Sequence, residues 1–360
     1  MKKAINQFLN RLEYNTNVNT KSLSYSRVFL GAYILIIMPL HWQWIAELPN
    51  TFFFPVVISP AKLFTGIPDQ WFFFLIELVF YLCVVLFTIG VYSRYALFIG
   101  GIVAIFGQSF AFAFGKIDHN LFLFIACLVL AFTNCGRYLA LRKDKPVSLK
   151  LQRTALGIGA LCIAFALFSA GYGKSWKWLD FDMTEGGFLR WFYTSYFVKE
   201  RQDLLSYWIT LFPAWAVELM DYTAVIFELT GLIFLIVGRK AWRVYLGIAV
   251  FFHLANYLFL NINFTANVPI YVIFLLSPLW MELDKVLKNR TWIKKVVFGL
   301  IAIQAIIMLA NVLGLTSSEG LNFLVHSGIS EFLLVSLWAS IVCVTLICLF
   351  QGRYKKEKLE

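Results

Sequence analysis

Charge is what this sequence has least of. Asp, Glu, Lys and Arg make up 14% of its 360 residues, against 60% hydrophobic ones. That is about half the charged fraction of a soluble globular domain, so water is not the main solvent for this chain. A Ser/Gly linker and low-complexity tracts are also missing, which excludes a string of tethered domains. No repeat relates the two halves, and this weakens an inverted-repeat transporter. Cysteine is sparse: the six residues show neither zinc-ligand spacing nor a disulfide framework. Cys83, Cys127, Cys162, Cys343 and Cys348 fall inside apolar runs, where a small polarizable side chain packs well.

What fills the chain instead is a series of apolar runs of about 18 to 22 residues, the length that crosses a bilayer core as helix. They predict spans near 28–46, 71–92, 95–114, 120–136, 154–173, 215–237, 244–262, 266–283, 296–314 and 332–350. The expected fold is therefore all-α, a polytopic integral membrane helix bundle of about ten transmembrane helices with interfacial helices on its outer face. Residues 1–20 read as an amphipathic inner-leaflet helix, because Ala4, Ile5, Phe8, Leu9 and Leu12 recur at helical spacing among Lys3, Asn6, Asn10 and Arg11. Residues 21–285 read as one transmembrane domain, and 286–360 as two further spans with a basic tail.

The net charge of +11 would suggest nucleic acid in a soluble protein, but its placement points to topology. With the N-terminus inside, all but seven of the 31 Lys and Arg residues lie in inner segments. The exceptions are Lys62, Lys116, Lys174, Lys177, Arg190, Lys199 and Arg201. Such asymmetry is the positive-inside pattern and places both termini in the cytoplasm of a multi-pass plasma-membrane protein. The expected partner is the lipid bilayer, not nucleic acid. Two outer segments, 48–70 and 176–212, are too polar to span and too aromatic to float free, and they read as interfacial or re-entrant covers.

A titratable side chain inside a span costs a few kcal/mol on insertion scales and needs a partner or a task. In this topology His41, Glu77, Gln108, His119, Lys174, Glu228, His253 and Asn256 lie in or toward the outer half, and the inner halves hold little that is comparable. For any one of them a hydrogen-bonded packing role is the commoner explanation. Together they predict a shared, outward-facing cavity. Lys174 directly follows the apolar run 164–171 and precedes Trp176 and Trp178. An amine desolvated there suits a general base, whereas a snorkelling lysine would reach the headgroups. Two axial haem ligands, His119 and His253, are conceivable, but no second histidine pair or attachment motif accompanies them.

Three segments carry a resemblance: Asp118-His119-Asn120-Leu121, Phe168-Ser169-Ala170-Gly171-Tyr172-Gly173-Lys174 and Phe251-Phe252-His253-Leu254-Ala255-Asn256. They resemble, in order and approximate spacing, the polar signatures of the horizontally transferred transmembrane (HTTM) domain family, the bacterial relatives of vitamin K-dependent gamma-carboxylase. Ser277-Pro278-Leu279-Trp280 is similar to a fourth. The resemblance runs from about residue 20 to 285.

It implies an enzyme with Lys174, His119 and His253 as catalytic residues. Lys174 would deprotonate a reduced quinone (vitamin K hydroquinone or menaquinol), His119 would position the reacting group, and His253 would line the cavity. Asn256, Glu228, Gln108 and Asp118 are then expected to contact the cofactor. Oxygen, and carbon dioxide if carboxylation occurs, would be co-substrates; a peptide or protein would be the acceptor. The animal enzymes have two consecutive lysines and a strand-rich lumenal domain, whereas here Gly173 precedes a single lysine and no such domain is expected after the last span. This points away from protein carboxylation and toward quinol-dependent oxygen chemistry or another peptide modification. One bacterial branch implies an alternative, a partner-dependent membrane subunit that helps mature and export a secreted peptide toxin. A transporter would need a polar path through the whole membrane, which the sparse inner halves do not offer.

Overall fold

The computed structural model describes residues 2–115, 119–180, 182, 186–318, 320–322 and 330–352. Helices and turns account for the regular structure, with no strand among the described residues. Among the described residues, seven helices are long and apolar enough to cross a membrane: α3 (Gln70–Ile89), α4 (Ser93–Ala111, extended by one turn to Phe114), α6 (Leu149–Trp178), α9 (Ala214–Val237), α10 (Arg239–Leu260), α13 (Thr291–Val312) and α14 (Ser330–Phe350). An eighth span results if the bent pair α11 (Val268–Leu275) and α12 (Ser277–Lys288) is one crossing. The remaining helices are α1 (Lys2–Thr16), α2 (Thr20–Ile36), α5 (Leu121–Ala131), α7 (Gly187–Tyr193) and α8 (Ser206–Ile209).

Three of the expected spans differ in form. The run at 28–46 yields α2, which starts eight residues earlier because the Asn19 side chain caps the Ser22 N–H at 2.9 Å. It ends at Ile36, ahead of Pro39. The run at 120–136 yields only the 11-residue α5. The run at 266–283 is broken at Leu276 with a 74° bend, where Pro278 in the first turn of α12 cannot continue the preceding helix.

The chain forms two compact units. One comprises Val18–Ala155 and Thr265–Leu333 with a few terminal residues. Here α3 packs on α2, α4 and α13, while α5 packs on α4 and α11. α3 and α4 are joined by a tight turn in which Gly90 adopts the left-handed conformation (φ 80°) and caps α3. A Cβ at Gly90 would lie 2.4 Å from the Ala140 backbone, so the turn also admits the 132–148 loop. Buried Arg27 of α2 donates to Ser93 Oγ at 2.9 Å and to the Leu139 carbonyl, fastening helix and loop together.

The other unit comprises Met1–Asn17, Leu156–Phe264 and Leu334–Glu357. It is built on the α9–α10 hairpin, with α1 packed against both helices. Asn15 Nδ2 donates to the Leu235 carbonyl at 2.8 Å, satisfying one of the carbonyls left open at the end of α9. Arg239 donates to the Asn17 carbonyl at 2.8 Å. At the opposite end of α9, α7 and α8 lie over the hairpin through a cluster of Phe192, Ile209 and Leu260. Exposed Trp176, Trp191, Tyr207, Trp208 and Trp215 surround this end, the amphipathic aromatic set found at membrane–water interfaces.

Candidate functional site

Lys174 and Glu228 meet in the second unit. Lys174 Nζ donates to Glu228 Oε1 at 2.5 Å, with the glutamate side chain 4% and the lysine side chain 28% exposed. The sequence creates the meeting one turn earlier on α6: a Cβ at Gly171 would stand 2.8 Å from Glu228 Cβ and 3.1 Å from the Leu229 nitrogen. Only a residue without a side chain lets α6 and α9 approach this closely. Lys174 Nζ also lies 5.0 Å from the centre of the Trp178 ring, so it has a carboxyl group on one side and an aromatic face on the other. Glu228 Oε2 is buried and has no hydrogen-bond partner among the described residues.

His253 is buried in α10, with its ring stacked 4.3 Å from that of Phe264 and tilted against that of Trp338, 5.8 Å away. Asn256, one turn along, is half-buried, and its carbonyl accepts the Ile262 N–H at the end of the helix. The stacking on His253 fixes its ring plane against aromatic faces, the setting of a positioned imidazole and not of a solvated one.

The remaining expected residues belong to the first unit. Gln108 Oε1 accepts the Trp42 indole N–H at 3.2 Å. His119 is half-buried in the turn that opens α5, where its carbonyl accepts the Phe122 N–H at 3.0 Å. Asp118 lies outside the described residues. Glu77 is fully engaged: Oε1 accepts the backbone N–H groups of Trp42 and Gln43, and Oε2 accepts Gln43 Nε2 at 2.8 Å, with His41 Nδ1 3.9 Å away. These bonds hold the 41–43 segment against α3. In the same unit, Leu48, Phe52, Phe54, Ala113, Phe114 and Gly115 line an open cleft of about 540 Å³. Among the described residues no titratable group lines that cleft, which is apolar space.

Two residues of interest escaped the sequence reading. Glu218 and Asp221 of α9 are buried, at 6% and 0% exposure. Asp221 Oδ1 accepts the Phe188 N–H at 2.7 Å and so tethers the start of α7. Gly187 beside it has no room for a side chain, since a Cβ would fall 2.0 Å from Trp178 Nε1. The acids at 218, 221 and 228 repeat at helical spacing within an apolar span, a signal present in the sequence.

The arrangement provides a buried amine–carboxylate pair able to exchange a proton across a 2.5 Å bond, with the amine still reachable. Among the described residues, no group of three His, Cys, Asp or Glu is placed to hold a metal ion. Compared with known proteins, the chain matches no family model, no curated protein and no solved structure.

Proposed function

We propose that this protein is a membrane-embedded enzyme of the gamma-carboxylase-like HTTM type, in which Lys174 removes a proton from a reduced quinone as the first step of an oxygen-dependent reaction. The observation that carries this reading is the Lys174–Glu228 pair: a lysine set among apolar helices, held at 2.5 Å by an almost wholly buried glutamate, yet 28% exposed. A lysine tied only by packing would have no reason to keep a buried acid for a neighbour, because a buried ion pair is rarely the most stable filling of a helix contact. His253 and Asn256 on α10 supply a ring and an amide in the same unit.

The topology proposed with this function has ten spans, counting α2 and α5 with the seven long helices and treating α11–α12 as one bent span. Both termini are cytoplasmic, and the α7–α8 segment covers the outer end of the site. Water exclusion there protects a reactive oxygenated intermediate. A peptide substrate and a partner protein would approach from the same side.

The test is to incubate purified protein with vitamin K hydroquinone or menaquinol under oxygen and to assay for the quinone epoxide. Wild type should form it, and Lys174→Ala should not while retaining its thermal transition. Equal yields from both proteins would remove Lys174 from the chemistry. No epoxide from either would favour the partner-dependent role in maturing a secreted peptide.

A further inference from the structure

The Lys174–Glu228 pair poses a problem of charge. In a medium of low dielectric, a pair carrying one proton is net neutral, and adding or removing a proton leaves an uncompensated charge that is costly to bury. If Lys174 accepts a proton from substrate, one must leave the pair at the same time. Lys174 Nζ is occupied with Glu228 Oε1, so the exit falls to Glu228 Oε2, which is buried and has no hydrogen-bond partner among the described residues.

We propose that α9 carries a proton relay running from Glu228 Oε2 through Asp221 to Glu218 at the N-terminal end of the helix. This rests on the reading of Lys174 as a base and deepens it. Asp221 and Glu228 are seven residues apart, two turns along one face of the helix and about 10 Å in rise. Side chains on a helix lean toward its N-terminus, so Glu228 leans toward Asp221, and in the relay a short chain of waters spans the rest of that rise. Glu218 lies a further turn toward the helix start. All three acids are more than nine-tenths buried. Each also keeps one oxygen without a partner among the described residues: Glu228 Oε2, Asp221 Oδ2 and Glu218 Oε1. Three such atoms in a row are unusual, because a buried acceptor normally finds a donor. Bridging waters that pass protons would satisfy all three.

Other charged or titratable groups surround the row. Lys174 comes from α6, exposed Asp180 lies just beyond that helix, and Tyr245 of α10 stands beside Glu228. From α7 come backbone N–H groups only, those of Gly187 and Phe188, which bind Asp221. Tyr245 gives its hydroxyl to the Phe227 carbonyl at 3.3 Å, so its proton is committed.

In the cycle, the pair begins with Lys174 as amine and Glu228 as carboxylic acid. The substrate O–H bond breaks and its proton joins Nζ, while the Glu228 O–H bond breaks at Oε2 and its proton passes by water to the Asp221 carboxylate. Asp221 releases a proton through Glu218 to bulk water. The ammonium proton then crosses to Glu228 Oε1 and restores the starting pair. One proton has moved from substrate to solvent, no electrons are transferred, and the pair never carries a net charge.

The relay can be examined without substrate, so its fate is separate from that of the epoxide assay. The full chain in lipid nanodiscs is mixed with D2O and followed by time-resolved infrared spectroscopy, with the Glu228 carboxyl band identified by its loss in Glu228→Gln. Wild type should exchange this band rapidly. Asp221→Asn should slow exchange at least tenfold, and Asp221→Glu should restore it. Asparagine keeps an oxygen to accept the Phe188 N–H, so α7 stays tethered, and an unchanged melting curve verifies that. An unaltered exchange rate in Asp221→Asn overturns the proposal, as does the absence of any carboxyl band attributable to Glu228.

Discussion

Glu77 and Glu228 are both buried acids in apolar helices, and they differ in what surrounds their oxygens. Glu77 accepts two backbone N–H groups and the Gln43 side chain, whereas Glu228 has one lysine and an open oxygen. The first is a clamp and the second a reactive pair. Hydrogen bonds to a charged group contribute about 1.5–3 kcal/mol each, and donors stranded by its removal add a desolvation cost. Glu77→Ala should therefore destabilise the protein by at least ~3 kcal/mol, read as a large drop in midpoint in a detergent melt. Glu77→Gln should cost clearly less, because its amide oxygen still accepts from the two backbone groups. Equal losses for the two variants would mean that charge, not acceptor geometry, holds the segment. The sequence listed both glutamates as titratable residues at membrane depth and could not separate them, because the donors that saturate Glu77 are backbone atoms about 35 residues away.

At the scale of elements, the apolar runs located α3, α4, α6, α9, α10, α13 and α14 to within a few residues. They failed where polar residues are buried with partners. The start of α2 contains Lys21 and Arg27, which hydropathy counts against a helix in lipid. Arg27 is nonetheless wholly buried on Ser93 and Leu139, and Lys21 Nζ lies 3.5 Å from Asp284. Asp284 of α12 gathers Tyr25 at 3.0 Å and Tyr138 at 2.5 Å as well, tying α2 and the 132–148 loop to α12. Such pairings join residues 66 to 263 positions apart and leave no local pattern. Their pH signature is specific. Burial and then the bond to the Asp284 carboxylate push the Tyr138 phenol up to about 12, from about 10 in an unfolded chain. With the folded value the higher one, this contribution is intact below about pH 10 and is lost as pH rises toward 12, because only the unfolded chain ionises in that interval. Chemical denaturation should show a fall in stability across pH 10 to 12 that is smaller in Tyr138→Phe. A fall of the same size in both proteins would place the titrating group elsewhere.

For the whole molecule, the decisive quantity is which side each loop faces, since the proposed chemistry needs the α7–α8 end of the second unit to be the outer one. Helix geometry alone carries no such sign. What orients a helix bundle is the energetic preference for keeping Lys and Arg near the cytoplasmic face during insertion, and the basic residues of this chain are concentrated in alternate loops. The segment from 137 to the first turn of α6 holds Arg137, Arg142, Lys143, Lys145 and Lys150. The 186–213 segment beyond α6, twice as long, holds only Arg190, Lys199 and Arg201, among exposed aromatics. Lys145 and Lys199 are both exposed and sit on opposite sides of α6 in sequence. Single Lys145→Cys and Lys199→Cys variants should thus react with a membrane-impermeant maleimide in opposite ways in intact cells: Lys199→Cys is labelled, and Lys145→Cys is labelled only after the membrane is opened. The reverse pattern would turn the Lys174–Glu228 pair toward the cytoplasm and remove an outer-leaflet route for quinol and peptide. Labelling of both positions in intact cells would deny that α6 crosses the membrane at all, and with it the low-dielectric setting on which the chemistry of the pair depends.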